Sequence, residues 1–180
     1  MHVPVGPQWI YELKLDGFRG MLRIDGSRAQ FTSKNSNVMR RFDPLALSLA
    51  RALRARSAIL DGEIIVMGDR GPDFRALFFS RRPPSFAAFD LLWLDGRDLR
   101  AQPLWRRKKA LHKLVSSTPA GYVDHVDDPT LFAAVMQHDL EGIVAKRRID
   151  PYAAGTQWFK VKTIGYSQMQ GRWELFERRR

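Results

Sequence analysis

Two short stretches of the chain concentrate residues able to do chemistry. Near the start, Glu12-Leu13-Lys14-Leu15-Asp16-Gly17-Phe18-Arg19 sets a lysine and an arginine beside carboxylates where a strand gives way to a turn. A lysine amine becomes a nucleophile once it has lost its proton, and neighbouring cations favour that neutral form. Near the end, Lys160 and Lys162 are two apart, so on a strand both ammonium groups point to one face, where they can hold a phosphate and its transition-state charge. Taken alone, the octapeptide reads as a surface ion-pair cluster and the Lys-x-Lys as a solvated strand edge, because exposed charge is the common case.

Other candidates are equally ambiguous one at a time. Glu63 closes Leu60-Asp61-Gly62-Glu63, Phe89 precedes a Leu-Leu run and reads as a core aromatic, and Glu141 precedes Gly142 and an apolar strand and reads as a helix-end carboxylate. Their order along the chain separates the readings. The run Glu12-x-Lys14-x-Asp16-Gly17-x-Arg19 is followed by Ser33-Lys34-Asn35, Leu60-Asp61-Gly62-Glu63, the segment from Phe86 through Phe89 to Leu92, Glu141-Gly142-Ile143-Val144-Ala145-Lys146 and Trp158-Phe159-Lys160-Val161-Lys162. This series resembles the nucleotidyltransferase superfamily of ATP-dependent DNA ligases, RNA ligases and mRNA capping enzymes, over residues 9–162. The segments around Phe89 and Glu141 are most similar to bacterial ATP-dependent DNA ligases, including the ligase domains of end-joining enzymes.

The resemblance implies a set of roles. Lys14 is the residue that becomes joined to AMP; Glu12 lies in the nucleotide pocket, its strand backbone at the adenine edge; Phe89 stacks on the purine. Glu63 accepts hydrogen bonds from ribose hydroxyls, Arg19 serves ribose or the substrate phosphate, and Lys160 and Lys162 hold the α-phosphate. Glu141 is the oxygen ligand for Mg²⁺. Lys34, at a position where the family usually has arginine, faces the nucleic acid, with Ser36 where many members have glycine. The reaction implied is that of an ATP-dependent DNA ligase: Lys14 takes AMP from ATP, AMP passes to a DNA 5′-phosphate, and a 3′-hydroxyl displaces it, sealing nicked double-stranded DNA in repair or recombination. The fold implied is α+β, an ATP-grasp-like nucleotidyltransferase domain of largely antiparallel sheets flanked by helices.

By the same resemblance, residues 1–180 form one adenylation domain with a short basic tail over about 163–180, too few residues for the OB-fold that usually carries the last family motif and helps orient pyrophosphate. The expectation is a partner protein supplying that OB-fold or a DNA-binding domain. Two further readings stay open: a noncatalytic nucleic-acid-binding or partner-recruiting module that retains an adenylate pocket, and an RNA ligase or GTP-dependent capping-type enzyme.

Composition agrees with an anionic partner and removes several classes. The 30 Lys and Arg against 19 Asp and Glu give a net charge of +11, which favours nucleic acid or nucleotide. Without cysteine there is no disulfide scaffold, thiolate metal site or cysteine nucleophile. The four histidines lack metal-ligand spacing, no serine sits in a nucleophile elbow, and no P-loop is present. The first residues carry no cationic and apolar leader pattern, and Asp90 interrupts the longest apolar stretch; the expectation is a cytoplasmic protein with no membrane association.

The elements that must position these residues follow from periodicity. Strands are predicted at 9–12, 20–24, 58–67, 86–94, 142–146 and 158–162, with Asp25-Gly26 and Asp95-Gly96 as hairpin turns. Helices are predicted over 43–56, 103–115 and 128–139, the first and last opening on Asp-Pro as N-cap and N1. In the first, Leu45, Leu49 and Leu53 form a core-facing stripe opposite Arg51, Arg54 and Arg56. The three Leu-Asp-Gly tripeptides read as strand-end turns.

Overall fold

A computed structural model describes residues 2–69 and 71–169. The chain runs β1 (Trp9–Leu13), β2 (Phe18–Asp25), β3 (Arg28–Thr32), α1 (Asp43–Ala52), β4 (Ser57–Ile65), β5 (Met67–Gly68), β6 (Gly71–Pro72), α2 (Phe74–Phe78), β7 (Ser85–Leu94), β8 (Arg97–Asp98), α3 (Leu104–Val115), β9 (Gly121–Tyr122), β10 (His125–Val126), α4 (Leu131–Gln137), β11 (Gly142–Arg147) and β12 (Phe159–Lys162). The strands form a four-stranded sheet in the order β10-β1-β11-β12 and a six-stranded sheet in the order β3-β2-β4-β7-β8, with β9 parallel to β7 and all other pairs antiparallel. Strands β5 and β6 make a separate small hairpin. This is the expected mixture of antiparallel sheets and flanking helices.

Strand alternation divides each sheet into a helix-covered face and an inner face. On the six-stranded sheet Leu22, Ile24, Leu60 and Leu91 join Leu49 and Leu53 of the α1 segment and Leu111 and Val115 of α3 in the main core. On the four-stranded sheet Tyr11, Ile143, Ala145 and Val161 pack with Val135 of α4. The intervening residues on the strands, Glu12, Val144, Lys146 and Lys160 from one sheet and Arg19 and Glu63 from the other, line one cavity together with Phe89, the extra residue where β7 shifts register against β4. Between the sheets a small cluster of Ile65, Ala87 and Val123, with Leu15 and Phe89 against it, closes the floor.

Several predicted details are corrected. The Asp-Pro pairs do not cap their helices. A 3₁₀ turn at Arg40–Phe42 runs directly into α1, so Phe42 is the N-cap and Asp43 is already helical. Ahead of α4, the Asp128 side chain accepts from Thr130 N at 2.8 Å, which makes a local turn, and the helix starts only at Leu131 and ends at Gln137. Leu60-Asp61-Gly62 is no strand end: it lies inside β4, where alternation puts Asp61 on the same face as Glu63, and the shift of register between Asp61 and Gly62 leaves Phe89 of β7 as the extra residue. The other two tripeptides do sit at strand ends, and Asp95 and Gly96, with φ of +45° and +86°, form the two-residue turn between β7 and β8. Helix α2 and the short strands β3, β5, β6, β8, β9 and β10 were not predicted; α2 is capped by Asp73, whose side chain accepts from Ala76 N.

Candidate active site

The cavity between the sheets has a volume of about 230 Å³. Of the predicted site residues, Glu12, Lys14, Arg19, Lys34, Glu63, Phe89 and Lys160 line it, joined by Trp158 and Lys146. Glu141 reaches it through Lys14. Lys162 lies on the same face of β12 as Lys160, opposite Gly142 in the register, but does not line the cavity.

Lys14 sits just past the end of β1, and its position is fixed from both sides. Its backbone N donates to Gly142 O at 2.9 Å, and its Nζ lies 2.5 Å from Glu141 Oε1. Two glycines permit this approach. A Cβ on Gly17 would overlap the Ile64 carbonyl oxygen, and one on Gly142, whose φ is +150°, would overlap that of Val161. The Lys14 side chain keeps 18% exposure, while Glu141 is 4% exposed and its Oε2 is buried with no hydrogen-bond partner among the described residues.

Around this pair the site is dense in charge. Arg19 and Glu63 are register partners on β2 and β4. Burial pushes the Glu63 carboxyl up to about 8; Lys14 and Arg19 oppose the rise while Glu141 and Asp61 add to it. Arg19 grips Asp61 through Nε at 3.1 Å and Nη2 at 2.7 Å. Burial, followed by the cations Arg19, Lys14 and Lys34, holds Lys160 below its ordinary lysine value, while Glu63 pulls the other way. Lys34 arrives from the loop after β3, where Ser36 takes the left-handed φ of +61° that a glycine adopts without strain.

The aromatic wall is equally specific. Phe89 and Trp158 meet edge to face with ring centroids 5.6 Å apart. The Arg19 guanidinium lies 5.1 Å from the Trp158 ring, and Lys146 Nζ lies 4.2 Å from Trp158 and 4.4 Å from Phe89. Lys146 also pairs with Glu12 Oε2 at 2.6 Å, and Lys108 of α3 takes Glu12 Oε1 at 2.5 Å and the Val123 carbonyl at 2.8 Å. The Glu12 carboxylate is thus spent on two buried lysines.

Sequence reading missed Asp61 as the holder of Arg19, and missed Lys108 and Lys146 altogether. Lys146 carried a signal, since a lysine on an inner-facing position of a buried strand needs a partner; Lys108 carried none, because α3 is basic throughout. The carboxylates and cations together can bind a triphosphate and hold a lysine amine at its phosphorus. Among the described residues no group of three or more His, Asp or Glu could hold a metal by itself. Mg²⁺ commonly takes one or two carboxylates and completes its shell with phosphate oxygens and water, and the free Glu141 Oε2 fits that arrangement.

Comparison with known proteins agrees. Residues 4–162 match the ATP dependent DNA ligase domain model. The chain is 33% identical to DNA ligase C of Mycobacterium tuberculosis, across 89% of this chain and 51% of that protein. It is 32% identical to the multifunctional non-homologous end joining DNA repair protein LigD of the same organism, across 86% of this chain and 22% of that one. It therefore spans about half the length of the first relative and about a fifth of the second. A structure of mycobacterial DNA ligase D complexed with ATP and MES superposes with a TM-score of 0.72 at 31% identity, covering 86% of this chain and 54% of that one. On these matches and the geometry of the cavity, the chain belongs to the ATP-dependent DNA ligase domain family.

Proposed function

We propose that this domain carries out the adenylation chemistry of a DNA ligase on Lys14. The observation that carries the reading is the convergence of Lys34, Glu63, Phe89, Trp158 and Lys160, from separate strands and loops of both sheets, on a cavity at whose edge Lys14 contacts Glu141. In the first step Lys14 Nζ forms a bond to the α-phosphorus of ATP as the bond to pyrophosphate breaks, while Lys160 offsets charge on the α-phosphate. Phe89 and Trp158 give the purine an apolar wall, and the Glu63 carboxyl serves the ribose hydroxyls. Mg²⁺, when bound, neutralises phosphate charge, and Glu141 is the residue that would hold it. Lys162 supports the phosphate once ligand is bound. AMP then passes to the 5′-phosphate of nicked duplex DNA, whose backbone the basic surface and Lys34 hold, and a 3′-hydroxyl completes the seal.

The two sheets closing on the nucleotide are the ATP-grasp-like element of this reading. Residues 1–180 act as the adenylation domain, and a segment or partner protein outside the described residues supplies the pyrophosphate-orienting motif of an OB-fold. The working compartment is the cytoplasm; among the described residues no helix is long and apolar enough to cross a membrane. Intact-protein mass after incubation with Mg²⁺ and each nucleoside triphosphate tests the reading. ATP gives a single AMP adduct that Lys14→Ala abolishes. An adduct from GTP instead would move the protein to capping-type chemistry, and none with any nucleotide would leave a binding module.

A further inference from the structure

Arg19 borders two hollows. Beside the pocket at Lys14 lies a more open cavity of about 560 Å³, bounded by Arg19, Arg100, Tyr152, Thr156, Trp158 and Lys160. Arg19, Trp158 and Lys160 belong to both walls. With Nε and Nη2 committed to Asp61, Nη1 of Arg19 makes no hydrogen bond among the described residues. Its aim depends on how firmly the guanidinium plane is held.

A third residue completes that hold. Tyr152 Oη donates to Asp61 Oδ2 at 2.8 Å, the same oxygen that Arg19 Nη2 contacts, and Nη2 also donates to Tyr152 Oη at 3.3 Å. Asp61 is fully buried on the six-stranded sheet, whereas Tyr152 belongs to the loop joining β11 to β12 in the other sheet. The loop itself is anchored. Tyr152 N donates to Arg100 O, while Asp150 O and Arg148 O accept from Leu104 N and Trp105 N at the start of α3, groups that no intrahelical carbonyl can satisfy. Arg107 ties Asp150 O to the buried Asp90 carboxylate, next to Phe89. Burial and then the Asp61 carboxylate raise the Tyr152 pKa, so the hydroxyl remains a donor.

We propose that Tyr152 is a positioning residue, whose hydroxyl fixes the Arg19 guanidinium so that its uncommitted edge, with Lys160 and Arg100, receives the 5′-phosphate of the acceptor strand in the outer cavity. The inference rests on the adenylate-transfer reading and assigns Tyr152 to its second step. There a 5′-phosphate oxygen bonds to the AMP phosphorus, the Lys14 nitrogen–phosphorus bond breaks, and the departing amine takes up a proton. Lysyl-AMP formation takes place at Lys14 in the inner pocket, where Asp61 still holds Arg19 through Nε and Nη2 without the Tyr152 hydroxyl.

Full-length wild type, Tyr152→Phe, Arg19→Lys and the double variant are compared in two single-turnover assays: lysyl-AMP formation from ATP, and discharge of purified lysyl-AMP protein onto a nicked duplex bearing a 5′-phosphate. Phenylalanine keeps the ring contact with Trp158, which lies 5.9 Å away, and the first assay reports that the fold and inner pocket survive. The expected result is discharge slowed about tenfold in Tyr152→Phe, the size of one hydrogen bond to a charged group, with lysyl-AMP formation within about twofold. The double variant discharges no more slowly than Arg19→Lys alone, because the hydroxyl acts only through the arginine. Unchanged discharge, equal slowing of both steps, or multiplied losses in the double variant would overturn the proposal. If wild type forms no lysyl-AMP, the adenylation reading fails and this one falls with it; if wild-type lysyl-AMP forms but does not discharge, only the acceptor-step assignment fails.

Discussion

Two glutamate–lysine contacts lie within a few residues of one another and serve opposite ends. Glu12, in β1, has both carboxylate oxygens taken, by Lys108 and Lys146, and all three side chains are at most 2% exposed. Glu141 has one oxygen on Lys14 and the other buried without a hydrogen-bond partner among the described residues, while Lys14 itself opens onto the cavity. The first cluster is sealed from solvent: both oxygens of its one carboxylate are taken by lysines, and it ties β1, β11 and α3 together. The second is unfinished, with a buried carboxylate oxygen that has no partner among the described residues and an amine that faces the cavity. Residue type does not distinguish the two pairs; exposure does, with the Lys14 side chain at 18% against at most 2% for Lys108 and Lys146.

The comparison breaks most sharply at the two lysines. Lys14→Arg keeps a cation beside Glu141 but supplies a group that stays protonated, so adduct formation from ATP falls below detection in intact-mass measurements, while stability changes by less than about 1 kcal/mol. Glu12→Gln has the reverse profile. It leaves two buried ammonium groups without their carboxylate and lowers unfolding free energy by about 3–5 kcal/mol in urea titrations. If Lys14→Arg destabilised as much as Glu12→Gln, the division between the clusters would be wrong.

Glu63 gives a smaller, pH-dependent effect. Its carboxyl is raised by burial from the ordinary 4.5 to about 8, so between those values the folded state holds a proton that the unfolded state has released. Its contribution is therefore lost as pH rises from about 4.5 through about 8, and stability should fall over that window. Glu63→Gln removes this dependence, and thermal midpoints measured across the window should then lie flatter than in wild type. The smallest expected change concerns Lys34. Lys34→Arg adds a planar fork for phosphate and should tighten binding to nicked duplex about two- to fivefold in a fluorescence titration, leaving the stability of both clusters untouched.

Much of this was legible in the residues, unevenly. Alternation put Lys160 on the inner face of β12, and the order of motifs brought seven of the nine predicted residues to one cavity. What escaped were features set by long-range pairing. Asp61 read as a turn because Asp-Gly favours turns locally, yet pairing with β2 and β7 on either side and the Arg19 grip keep it inside a strand. The Asp-Pro helix starts failed because neighbouring turns took over the capping role. Lys108 and Tyr152 meet Glu12 and Asp61 through tertiary contacts 96 and 91 residues apart, which no local pattern encodes. The predicted basic tail falls largely on residues 170–180, outside those described.

The central claim is that the open lysine reacts and the closed ones do not. Peptide mapping of the chain after reaction with ATP and Mg²⁺ tests this directly. The account predicts AMP on the peptide containing Lys14 and none on those containing Lys108 or Lys146. Label on either of those two, with Lys14 unmodified, would contradict it.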